Sequence, residues 1–418
     1  MDKRAKDFLQ RDMLEMEYSK FVEAVQTIDP RMPNKTIYHA STILLMAMAG
    51  VIVGAQTWAE VADYSRANLD FFMEYDQNIT DAPSDDTFRR FFMIVDPDKL
   101  EELYRGWAKR LASTLLSQGK TRHVAIDGKT IRGAADPEKI AAENRGLTQG
   151  QIANAKLHMV SAYLADECVS LGQIKTDFKE NEIVVIPKLI EELSIGEGDV
   201  VSIDAMGTQK KIAEAISAKK AKYLLQVKGN QPGLLEHIRL HMAMAEDGGS
   251  IFRERNIAKF KESDATHGMS RTTECWAWKN EGYGFRGLEE WKDCKTFGRI
   301  VTTLKNKKTG ETTVETMYFI SSMDSDPEKL LKHKRKHWQV ENGLHWQLDV
   351  SFNEDGGRKM MNSAQNYSAL TKIVLAVIKN DKSKPKTSVQ RKRKLAGWNR
   401  EYLKLLLELA IKHFQSLQ

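Results

Sequence analysis

The sequence predicts a mixed α/β fold, in which a sheet with parallel members is flanked by helices, preceded by an all-helical segment and interrupted by a β-rich insertion. Three observations lead there. Residues 1 to 115 carry apolar side chains at helical spacing and no strand pattern. From His123 onward, short β-rich runs ending in aspartate alternate with helix-like stretches, the pattern of parallel strands covered by helices. Residues 250–323 change character again, to strand-like runs with Trp276, Trp278 and Trp291.

In chain order, Ile43, Leu44, Leu45, Met46 and Met48 form a buried helical segment, continued at helical spacing by Trp58, Val61 and Tyr64. Pro83 to Thr87 supplies a turn and a cap before Phe88, Phe91 and Phe92. The run His123 to Asp127 reads as a strand stopped by Gly128, followed by strand-like runs at 158–165 and 169–176. A helix at 182–194 carries Pro187 in its first turns. Val200 to Asp204 is a second buried strand, a helix starts near Thr208, and Tyr223 to Val227 is a third strand. Within the insertion, runs at 271–278, 297–304 and 312–322 are strands, the last two joined through the turn Asn306 to Gly310. Asp326-Pro327 opens a long helix running through Glu341 towards Val350. The tail from 363 is helical, is broken near Pro385 by a basic segment, and ends in an amphipathic helix at 399–414. The expected division is 1–115, 116–380 and 381–418.

Composition narrows the function classes. The 418 residues are 41% hydrophobic and 29% charged, which supports a core and excludes wholesale disorder. Lys and Arg number 63 against 57 Asp and Glu, a net charge of +6; this permits a nucleic-acid partner where the charge clusters but does not identify one. Cys168, Cys275 and Cys294 form no CxxC pair, so neither a disulfide framework nor a zinc knuckle is available. The first twenty residues are charged throughout without an apolar stretch, and the longest apolar run, Ile43 to Ala55, is too short to span a bilayer. A soluble, cytoplasmic protein with no membrane partner is expected.

Two features carry chemistry. Asp127 and Asp204 each end a buried strand, where a carboxylate is costly to hide and faces a partner or a metal. His337, Glu341, His345 and Asp349 follow one another at i, i+4 on the long helix, so four ligand-type side chains share a face. A solvated polar stripe is the plain alternative, but Trp338 and Trp346 on the same helix argue for burial on one side. Joined, Asp127, Asp204 and Glu341 are three oxygen ligands of the kind that hard divalent cations take. Such a set can hold two ions about 3.5–4 Å apart for in-line attack on a phosphodiester.

The run Ala125-Ile126-Asp127-Gly128-Lys129-Thr130-Ile131-Arg132-Gly133 resembles the first catalytic block of bacterial insertion-sequence transposases of the DDE class, in the branch of the H-repeat-associated proteins. Val201 to Gln209, followed by Lys228-Gly229-Asn230-Gln231, resembles the second block, and Arg335 to Val350, continued by Ser351 to Arg358, the third. Ser84 to Arg90 is similar to part of the helical domain that precedes the core in that branch, and the resemblance spans roughly residues 30 to 380. It implies an RNase H-like catalytic core with a β-rich insertion before the glutamate. It also implies catalysis and metal binding by Asp127, Asp204 and Glu341, with two Mg²⁺ or Mn²⁺ ions as cofactors. The resemblance further implies double-stranded DNA, at element ends and target, as the partner and a homodimer as the active complex. His337, His345 and Asp349 are candidates for supporting those ligands. The branch's tight His-Gly-Arg is spread here over His267-Gly268-Met269-Ser270-Arg271, so His267 and Arg271 receive no role.

Lys129, Arg132, Lys228 and Arg335 lie near the acids in sequence and are candidates for DNA phosphate contact, as is the basic run Arg391-Lys392-Arg393-Lys394. Solvated surface is the competing reading for each. Trp338 and Trp346 could stack an unpaired base, with core packing the preferred reading. The function expected is DNA cleavage at element ends and transfer of the 3′-hydroxyl ends into target DNA. The competing functions are an RNase H-like nuclease that cuts without joining and a DNA-binding relic that no longer cuts.

Overall fold

Local signals set the helix starts of the first hundred residues. Thr57 accepts from the Glu60 backbone N–H while the Glu60 carboxylate accepts from that of Thr57, a complete capping box. Ser84 caps the helix that carries Phe88, Phe91 and Phe92 inward. Asp96 and Pro97 start the next. The computed structural model describes residues 3–116, 121–134, 157–176, 182–246, 257–266, 268–280, 287–357, 359 and 362–416. Its helical part begins with α1 (Lys3–Gln26), α2 (Ala40–Val53), α3 (Trp58–Ala67), α4 (Leu69–Phe72), α5 (Asp85–Ile94) and α6 (Pro97–Leu115).

Every residue of α2 except Val53 is buried, so the longest apolar run of the sequence is the central rod of a helical core. Among the described residues no single helix is long and apolar enough to cross a membrane. The helices that surround α2 come from both ends of the chain: α12 (Asn362–Asn380), α13 (Val389–Trp398) and α14 (Arg400–Ile411) share its apolar cluster. The Trp107 indole N–H on α6 donates to the Ala410 carbonyl at 2.8 Å, and the Asn366 amide on α12 donates to Phe92 and Val95 carbonyls. The tail expected as a separate unit thus completes the N-terminal helical layer.

The sheet has nine strands: β1 (His123–Ile131), β2 (Leu157–Leu164), β3 (Val169–Thr176), β4 (Val200–Ile203), β5 (Lys222–Val227), β6 (Ile257–Thr266), β7 (Met269–Lys279), β8 (Thr296–Asn306) and β9 (Thr312–Ser321). Their order is β3-β2-β1-β4-β5-β9-β8-β7-β6. β1 with β4 and β4 with β5 are parallel, and every other pairing is antiparallel. Helices α7 (Glu182–Glu192), α8 (Lys210–Ala218) and α9 (Pro232–Glu246) make the crossovers and connections.

The strands of the β-rich insertion join the central sheet: β9 pairs with β5 from Leu224↔Ser321 to Val227↔Tyr318, so four strands extend it edgewise. One expectation changes: Gly128 does not stop β1. It sits inside the strand, and glycine is needed there because a side chain would strike the Glu182 carboxylate and the His158 ring. Those two groups form a buried pair, His158 Nε2 lying 2.6 Å from Glu182 Oε1.

Candidate active site

The parallel register of β1 and β4 ends at Ile126↔Ile203, which sets Asp127, inside β1, beside Asp204, the first residue past β4; of the two, only Asp204 ends its strand as expected. Burial raises the Asp127 carboxyl, and nearby Glu341 and Asp204 raise it further. Burial also raises Asp204; the Gly207 N–H, 3.2 Å from its Oδ1, and Lys228 oppose this in part.

The segment that crosses these strands is not one α-helix. α10 (Pro327–Gln339) passes into a π-turn over Val340–His345 before α11 (Trp346–Phe352). An α-helix advances about 100° per residue, so the stripe from His337 to Asp349 would drift by about 120°. The wider π-turn takes up that drift. All four side chains accordingly reach the sheet, His337 at β4 and the other three at β1. His337 Nδ1 meets Ser202 Oγ at 2.9 Å, Glu341 and His345 meet Asp127, and Asp349 accepts from Lys129 Nζ at 2.5 Å. Val340, Leu344 and Leu348 dock the segment, each 1% exposed or less.

His345 Nδ1 is 3.5 Å from Asp127 Oδ2 and 3.7 Å from Glu341 Oε2, and ligand atoms of all three lie within 4.8 Å of one another. His345 holds the Glu341 carboxyl low. The sequence reading gave His345 a supporting place; the geometry puts its ring nitrogen among the ligand-type atoms themselves. Its Nε2 is buried without a hydrogen-bond partner among the described residues. Asp204 lies outside the 4.8 Å group but lines the same cleft, a space of about 240 Å³ also lined by Asp127, Lys228, Trp338 and Glu341. Three carboxylates and an imidazole form a donor set suited to Mg²⁺ or Mn²⁺, in a cleft also lined by Lys228 and Lys334.

The basic candidates divide. Lys228 is exposed on the cleft, and Arg132, Arg391 and Lys394 are exposed. Lys129 is only 10% exposed and is held by Asp349 and Glu354, so it neutralises protein carboxylates rather than facing solvent. Arg335 is paired with Glu262 on β6 at 2.9 Å. Lys392 and Arg393 are buried: Lys392 Nζ donates to the Ile378 and Asp381 carbonyls, and the Arg393 guanidinium donates to the Val51 carbonyl and lies over the Phe352 ring. The run 391–394 is therefore no uniform DNA-facing patch, because helical periodicity turns its middle two residues into the core. Arg271 is exposed on β7, and His267 lies outside the described residues.

The tryptophans also depart from the core reading. Trp338 is 53% exposed and Trp346 52%, one on each side of Glu341 in the chain. Sequence reading missed the buried acid Glu354 as a structural partner. Its carboxylate accepts from Lys129 and from the Ser368 hydroxyl, contacts spanning 225 and 14 residues, and the longer leaves no local signal.

The family profile described as Transposase DDE domain matches residues 118–376, and that described as DDE_Tnp_1-associated matches residues 23–108. YncI of Escherichia coli O157:H7, named as a candidate transposase, is 34% identical over 384 residues, 91% of this chain and 92% of that protein. YhhI of Escherichia coli strain K12, named as an H repeat-associated candidate transposase, is 34% identical over 405 residues, 94% of this chain and 98% of that protein. The piggyBac transposase synaptic complex with hairpin DNA overlays with a TM-score of 0.40 at 9% identity, over 97% of this chain and 80% of that chain.

Proposed function

The chain belongs to the transposase DDE domain family, and from that premise we propose that it cuts DNA at the ends of an insertion sequence and joins the resulting 3′-hydroxyls to target DNA. The observation that carries this reading is the convergence of Asp127, Asp204 and Glu341 on one cleft, where the parallel pairing of β1 and β4 ends. The order β3-β2-β1-β4-β5, with β1, β4 and β5 parallel, supports an RNase H-like core.

In this reading Asp127, Asp204 and Glu341 hold the divalent cations, with His345 as a further donor. Two Mg²⁺ or Mn²⁺ ions bound there would activate a water or a 3′-hydroxyl and stabilise the leaving oxygen. Burial and the neighbouring carboxylates favour the protonated form of Asp127, and a bound cation would favour its ionised, ligating form. The Lys228 ammonium on the rim attracts the phosphate into the cleft.

The test is an end-cleavage and strand-transfer assay on duplex oligonucleotides carrying the element's ends, with a pre-cut 3′-hydroxyl substrate in parallel. Cleavage and joining in Mg²⁺ are expected. Cutting without joining would favour a plain nuclease, and DNA binding without either would favour a relic.

Electrostatics gives a separate expectation. Lys228→Ala, or Arg391→Ala with Lys394→Ala, should weaken binding equally across sequences and lower the salt slope by about 0.9 per lost phosphate contact. Fluorescence-anisotropy titrations at several salt concentrations measure this, and an unchanged slope returns these side chains to solvated surface.

A further inference from the structure

A buried polar chain runs beneath the three carboxylates. His333 and His337, one turn apart on α10, both point at the sheet. His337 Nδ1 is 2.9 Å from Ser202 Oγ, Ser202 Oγ is 2.9 Å from His123 Nε2, and His123 Nδ1 is 2.8 Å from His333 Nδ1. His123 is 0% exposed and Ser202 2%. Burial holds His123 and His333 far below the ordinary imidazole range, so both rings are neutral, each with one donor and one acceptor nitrogen.

The placement of the members is what matters. His123 lies four residues before Asp127 on β1, Ser202 two residues before Asp204 on β4, and His337 four residues before Glu341 on the helical segment. Each carboxylate thus has a member of the chain just upstream on its own element. Apolar contacts alone would hold α10 on the sheet but tolerate small slides, whereas linked hydrogen bonds accept one register.

We propose that the His337–Ser202–His123–His333 chain is a positioning device that fixes α10 against β1 and β4. It thereby sets the separation of Glu341 from the two aspartates, and with it the affinity for the divalent cation. The inference rests on the reading of these acids as cation ligands.

Ser202→Ala removes the hydroxyl that joins the two halves of the chain and changes the volume by one oxygen atom. Two quantities test it in the full-length protein: the Mn²⁺ dissociation constant measured by electron paramagnetic resonance, and the Mn²⁺ concentration giving half-maximal end cleavage. Both should rise about tenfold, the lower end of what losing a residue behind a metal ligand costs. Saturating Mn²⁺ should restore cleavage, and DNA affinity without metal should not change. His333→Leu, which breaks the far end of the chain away from the cleft, should shift both quantities in the same direction by less. Unchanged Mn²⁺ affinity in Ser202→Ala, or a loss that saturating Mn²⁺ does not restore, overturns the positioning role. If Ser202→Ala does not fold, His333→Leu decides by the same criteria. Wild-type protein that binds no Mn²⁺ overturns the ligand reading and this inference with it. Equal binding by wild type and variant overturns this inference alone.

Discussion

Asp127→Asn is expected to abolish end cleavage and joining together, by about a thousandfold or more, the result of losing roughly 4 kcal/mol of transition-state stabilisation. Asp204→Asn and Glu341→Gln should do the same, and double variants should add little, because the three acids act as one clamp. Mobility-shift assays should find DNA binding intact in each. Mg²⁺ or Mn²⁺ should support the wild-type reaction and Ca²⁺ only poorly, since its looser coordination shell misplaces the attacking oxygen. His345→Ala should fall between wild type and the carboxylate variants, and Asp349→Ala should cost less, because its partner is Lys129. Joining retained by Glu341→Gln would sink this assignment of the third acid. Glu354 could not replace it, being 4% exposed and committed to Lys129 and Ser368. The linkage sign adds a stability readout. The folded-state pKa of Asp127 is raised, so the native protein holds the extra proton and loses stability as pH rises above the ordinary carboxylate range. Without metal at neutral pH, Asp127→Asn should therefore melt higher than wild type, while losing its chemistry.

Lys129→Met should have the largest effect on folding. The Lys129 ammonium donates to Asp349 at 2.5 Å and to Glu354 at 2.8 Å, with Asp355 3.7 Å away. Removing it leaves Glu354 buried with one cation fewer, and breaking such a pair from one side costs about 3–5 kcal/mol. A lower urea midpoint at unchanged slope would report it. Burial alone would raise Glu354, but the charges of Lys129 and Lys372 hold it below the ordinary value of 4.5. Its contribution in wild type is full above 4.5 and is lost as pH falls through the depressed native pKa. The destabilisation caused by Lys129→Met should hence shrink between pH 7 and pH 4, where a protonated Glu354 needs no cation. An equal loss at both pH values would assign the effect to lost packing instead.

Much of the site is legible before any coordinates because its parts are local. An apolar run closed by aspartate, as at Val200 to Asp204, announces a buried strand whose end faces something polar. What sequence hides is tertiary. β6 escapes notice because Lys259, Lys261, Glu262 and Asp264 break the alternation expected of a half-buried strand, as charges on an edge strand do. The run 391–394 reads as one charged patch until the packing of α13 buries Lys392 and Arg393. Trp338 and Trp346 are the type of residue that fills cores, yet each is exposed by about half. The Lys129–Glu354 pair joins distant segments and cannot be inferred from either.

The π-turn at Val340–His345 depends on a single residue. A turn of this type holds one residue more than the α-helix on either side requires, and the ladder opens where it does so. Here the Gly343 carbonyl accepts from Lys379 Nζ on α12 at 2.6 Å. An in-frame loss of a single codon, that of Asn342, would let the segment close into a regular helix with α10 and α11 still pointing as they do. The product would be a full-length, well-ordered protein in which Glu341 and His345 stand three positions apart instead of four. The turn thus ties the separation of Glu341 and His345 on the cleft to the presence of a single residue.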